Sequence, residues 1–152
     1  MPTCYDTWTV LPHDPIERLT DHAWRVGGRM SNGTPRFMSP VRLADGRVLI
    51  HNAIAREDPL MAEIDAWGEV AAILVPNAFH RMDCRIMQAR YPKAKVYEPA
   101  GAAKAVAKAP TERFRADVQR LGDAGPRRLI PSHGRDIHED AGERLREALR
   151  LL

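Results

Sequence analysis

The feature that most constrains this chain is a change of hydrophobic period about a third of the way along it. Residues 36–43, Arg-Phe-Met-Ser-Pro-Val-Arg-Leu, alternate with the period of a strand. Asp45-Gly46 then supplies a hairpin turn, and Val48-Leu49-Ile50-His51-Asn52 reads as the return strand. A shorter strand at residues 23–26 is expected to stop at Gly27-Gly28. The alternation through Tyr5, Trp8 and Val10 offers an edge strand within an extended arm, residues 1–15.

Beyond Asn52 the pattern turns helical. Pro59 opens a stretch with Leu60, Met61, Ile64 and Trp67 on one face, closed by Gly68. Residues 71–76, Ala-Ala-Ile-Leu-Val-Pro, are a short unbroken apolar run, the mark of a strand covered on both faces. A helix with Ile86, Met87 and Tyr91, a strand at 95–97, helical stretches at 101–108 and near Phe114, Val118 and Leu121, a strand at 128–131 and a helix over 139–152 follow. A hairpin followed by alternating helices and strands predicts an α/β domain with a mixed sheet flanked by helices, a single unit over 1–152.

Composition narrows the class. Hydrophobic residues make up 44% and charged residues 28% of the 152, so wholesale disorder is not expected. No stretch nears 18 apolar residues and the N-terminus lacks a basic patch leading into an apolar run, so neither a membrane span nor a signal peptide is expected. The net charge of +3 comes from 23 bases interspersed with 20 acids, with no basic and aromatic run of the kind that binds nucleic acid. Cys4 and Cys84 lack CxxC spacing, and without an export signal they are expected as reduced thiols in a cytoplasm.

Two apolar strands end alike. Val75-Pro76 runs into Asn77-Ala78-Phe79-His80-Arg81-Met82-Asp83, and Ile130-Pro131 runs into Ser132-His133-Gly134. Ligands of open α/β sheets sit beyond the carboxyl ends of the strands. If these loops meet the end of residues 48–51, then His51, His80, Asp83 and His133 form a three- or four-ligand pocket suited to a metal ion. A helix over this stretch would put Cys84, four residues after His80, on the same side. Each of these residues also has a plainer use. The histidines suit hydrogen bonding or capping, Asp83 suits a helix N-cap, and Cys84 suits a small buried hydrophobe. His13 and His22 lie in polar segments, and His138 precedes a helix start.

Taken together, His13-Asp14-Pro15-Ile16, Trp24-Arg25-Val26, residues 38–43, Asp45 to Asn52, Val75-Pro76-Asn77 with His80, Tyr91-Pro92 through Val96-Tyr97, and Pro131-Ser132-His133-Gly134 resemble the metallo-β-lactamase-fold superfamily. The likeness is to its uncharacterised branch of β-lactamase-like proteins. It implies an αββα sandwich with one or two metals at one edge, and a hydrolase-like activity on an ester, thioester, amide or phosphoester. Zinc is the implied cofactor, with His80, His133, His51 and Asp83 as ligands and Asp83 also in a catalytic role. The superfamily's HxHxDH motif is degenerate here. With His80 at its second histidine, Ala78, Met82 and Asp83 stand at the other positions. The late strands of the sandwich and their metal-bridging aspartate have no counterpart between Lys108 and Thr111. A truncated sandwich exposes an apolar face, which leads us to expect a homodimer. The alternative is a non-catalytic relative acting as a ligand-binding or interaction module.

Overall fold

The computed structural model describes residues 4–97, 112–130, 137 and 139–150. The chain forms two compact units, residues 1–103 and 104–152. The first carries a six-stranded sheet in sequence order: β1 (His13–Thr20), β2 (Ala23–Arg29), β3 (Pro35–Arg42), β4 (Val48–His51), β5 (Val70–Leu74) and β6 (Lys95–Tyr97). The β1–β4 neighbours pair antiparallel, and the β4–β5 and β5–β6 neighbours pair parallel. The sheet is therefore mixed, as the change of period predicts.

The β3–β4 turn is the one read from Asp45-Gly46. Gly46 sits at φ 84°, a left-handed value that costs glycine nothing. The Arg47 amide donates to Asp45 Oδ1 at 3.1 Å, the local bond that makes aspartate a turn residue. Between the parallel strands run α1 (Asp58–Trp67) and α2 (Cys84–Arg90). Pro59 lies in the first turn of α1, where its missing N–H costs no bond, and Gly68 follows its last residue.

The core lies between the helices and one face of the sheet. Val26, Met38, Val48, Ile50 and Ile73 of the strands, with Met61, Ile64 and Met87 of the helices, are fully buried. Trp24 of β2 stacks on Trp67 at the end of α1, with ring centroids 3.8 Å apart and planes 11° from parallel. Cross-strand pairing fixes which residues share this face. Val26 stands opposite Met38, Pro40 opposite Ile50, and Ile50 opposite Ile73.

Two sequence expectations are corrected. The edge strand is His13–Thr20, and no strand forms between Tyr5 and Leu11. β1 escapes the alternation rule because an edge strand needs few apolar contacts. It is mostly exposed, with Pro15 inside a register shift between His13 and Ile16. β2 runs through Gly27-Gly28 instead of stopping there. A Cβ on Gly27 would press into the Asp14 carboxylate, and one on Gly28 would come within 2.9 Å of Arg56 Nη2. The glycines are the form a strand takes where other groups pass close to it.

The second unit contains α3 (Glu112–Asp123) and α4 (Ala141–Arg150). Arg146 of α4 donates to the Gly122 carbonyl at 2.9 Å, and Ala141 is buried. The strand expected at 128–131 is present as a single bridge, Leu129 exchanging both backbone bonds with Ile137 at 3.0 and 3.1 Å. The helix expected over 101–108, and His133 with its loop, lie outside the described residues.

Candidate functional site

Strand direction gathers several elements at one edge of the sheet. Parallel pairing of His51 with Leu74 puts the ends of β4 and β5 side by side, so residues 52–57 and 75–83 leave the same rim. Ser39 pairs with His51, which carries the start of β3, Arg36 and Phe37, just beyond that end. Arg36 pairs in turn with Gly28, and Gly28 with His13.

The segment after β4 is buried in full. Asn52, Ala53, Ile54, Ala55 and Arg56 are each at most 3% exposed. A buried loop must find partners for its backbone, and it does. The Asn52 amide donates to the Leu74 carbonyl at 2.9 Å, and the Ala55 amide donates to Asp83 Oδ1 at 3.3 Å. The Arg56 carbonyl accepts from Trp8 Nε1 at 2.9 Å.

Asp83 stands at the N-cap position of α2, but its side chain does not cap the helix. It turns inward, fully buried, and its Oδ2 accepts from Arg36 Nη1 at 2.5 Å. The guanidinium of Arg56 lies in the same buried layer, donating to the Gly27 carbonyl at 2.9 Å. Burial pushes Arg56 down to about 10, repulsion from Arg36 adds to this, and Asp83 and Asp14 oppose it. Removing the charge of Asp83 leaves buried cations without their counter-ion, a change that costs about 3–5 kcal/mol when one partner of a buried pair is lost.

His80 ends a single 3-10 turn, Ala78–His80, capped by Asn77, whose Oδ1 accepts from the Phe79 amide at 2.9 Å. Its Nδ1 lies 2.7 Å from Asn52 Oδ1. His51 is half-buried on β4, and burial lowers its pKa from 6.5.

The expected ligands are thus distributed as follows. His80 meets Asn52, Asp83 meets Arg36 and Ala55, and His51 shares a cross-strand pair with Ser39. Among the described residues, no three His, Cys, Asp or Glu side chains come together in a group able to hold a metal ion. Sequence reasoning did not single out Arg36, Arg56 or Asn52. The available signals were the strand phase that puts Arg36 with Met38 and Pro40, and the glycine doublet inside β2.

No family model matches the chain, and no curated protein matches it. Among solved structures, the chain is similar to the metallo-β-lactamase FIM-1 from Pseudomonas aeruginosa in its mono-zinc form. The TM-score is 0.57 at 12% sequence identity, over 93% of this chain and 96% of that one. This chain has the metallo-β-lactamase fold.

The fold family implies a metal, so the described donors of this metallo-β-lactamase-fold chain can be weighed against one. Catalytic zinc normally takes three protein ligands. Asp83 has both oxygens engaged, is shut off from solvent and faces the Arg36 guanidinium. A divalent ion there would displace an internal cation and approach a second one, Arg56. The described residues of the rim do not fit a metal. No helix among them is long and apolar enough to cross a membrane.

Proposed function

We propose that this metallo-β-lactamase-fold protein uses the rim at the ends of β4 and β5 as a binding site for a small polar molecule and not as the metal centre of a hydrolase. The observation that carries this reading is the buried Arg36–Asp83 pair. The carboxylate best placed to complete a ligand set is neutralised from within the chain. His80 is a half-buried polar group at the rim, bonded to Asn52.

A second reading is a zinc-dependent hydrolase with a degenerate site. Its ligands would be His80, His133, His51 and Asp83, with bound water as the nucleophile. The anchoring of His80 Nδ1 favours it, because metal-binding imidazoles are oriented through their other ring nitrogen.

Metal analysis and thermal melting separate the two. Protein purified without chelator is expected to hold less than about a tenth of an equivalent of transition metal, and added Zn²⁺ to leave the melting temperature unchanged. Tight binding would instead stabilise the fold by about 2.7 kcal/mol at a hundredfold excess over Kd. A stoichiometric metal, with a melting shift that His80→Ala and His133→Ala each abolish, would establish the hydrolase-type centre.

A further inference from the structure

The chemistry of one residue in the β4–β5 rim follows from hydrogen-bond accounting alone. Asn52 has two polar ends. One faces the Phe37 carbonyl at 2.7 Å and the other faces His80 Nδ1 at 2.7 Å. A backbone carbonyl only accepts, so the end toward Phe37 is the NH₂. The end toward His80 is then the carbonyl oxygen, which also only accepts. His80 Nδ1 must therefore carry the proton, and the neutral ring keeps its lone pair on Nε2.

Turning the side-chain amide over would set an oxygen against the Phe37 carbonyl, with no water to compensate at 1% exposure. The Asn52 backbone amide is bound to the Leu74 carbonyl at 2.9 Å. Its backbone sits at φ 56°, a left-handed conformation that asparagine tolerates better than most residues. The residue thus ties three segments: β3 through Phe37, β5 through Leu74, and the 75–83 loop through His80.

We propose that Asn52 is a positioning residue that holds His80 as the Nδ1–H tautomer, with Nε2 as the accepting nitrogen.

Two-bond ¹H–¹⁵N correlation spectra of labelled protein, recorded above pH 7, test it directly. They report which ring nitrogen is protonated, a property that a purely space-filling role for Asn52 would not set. The wild type is expected to show the Nδ1–H pattern for His80. Asn52→Gly keeps the left-handed backbone and removes the amide, and His80 should then shift to the Nε2–H form usual for an imidazole in water. Asn52→Asp retains an accepting oxygen, so Nδ1 should stay protonated, with the added carboxylate favouring protonation of Nε2 as well. A wild-type ring in the Nε2–H form, or a folded Asn52→Gly protein with the wild-type pattern, overturns the proposal. If Asn52→Gly does not fold, the wild-type spectrum decides. The spectra involve no zinc and no ligand, so their outcome is separate from that of the metal test.

Discussion

The face of the sheet beneath α1 and α2 is built in two ways. Toward its middle, Val26, Met38, Ile50 and Ile73 meet Met61, Ile64 and Met87 in an apolar layer. At the strand ends the buried layer also takes in polar side chains, Arg36, Asn52, Arg56 and Asp83, each at most 5% exposed. Apolar packing is non-directional, and alternative side chains of similar volume serve it nearly as well. The polar layer depends on particular partners, because each buried charge or amide left unpaired is expensive. The first layer holds the sheet to its helices. The second fixes where the β4 and β5 loops sit, and with them His80.

Unfolding by urea separates the two layers. Asp83→Ala is expected to cost about 3–5 kcal/mol, since it strands Arg36 and leaves the Ala55 amide without its acceptor. Ile50→Val, one methylene lost from the apolar layer, is expected to cost about 0.5–1.5 kcal/mol. Equal losses would remove the distinction.

A smaller effect comes from His51, at the edge of the rim. Its folded-state pKa is lowered by burial, so below the ordinary value of 6.5 the unfolded chain binds more protons than the folded one. Stability should therefore fall as the pH drops from 6.5 toward the folded-state value, and His51→Gln should flatten that part of the profile. An unchanged acid limb in the variant would show that His51 plays no part in it.

How much of this was legible follows from which signals are local. The β3–β4 turn, α1 and the buried strand β5 announce themselves through Asp45-Gly46, Pro59 with Gly68, and an apolar run. Their physics lies within a few residues. β1 gives no such signal, because an edge strand with one exposed side leaves almost no hydrophobic period. His80 is readable as a loop histidine after a strand, and it lies at the strand-end rim. Its partner Asn52 is 28 positions away, and the partner of Asp83 is 47 away, beyond the reach of any spacing rule. Asp83 therefore reads from sequence as a cap or a metal ligand, while in the fold it is the counter-ion of an arginine on another strand.

At this rim the partner of the Asp83 carboxylate is an internal guanidinium, that of Arg36. The most direct measurement is a double-mutant cycle on Arg36→Met and Asp83→Leu, with stability determined with and without Zn²⁺. The account predicts that each single change costs about 3–5 kcal/mol, that the double change costs much less than their sum, and that zinc alters none of the wild-type values. Additive, small losses, together with wild-type stabilisation by zinc that Asp83→Leu removes, would contradict it.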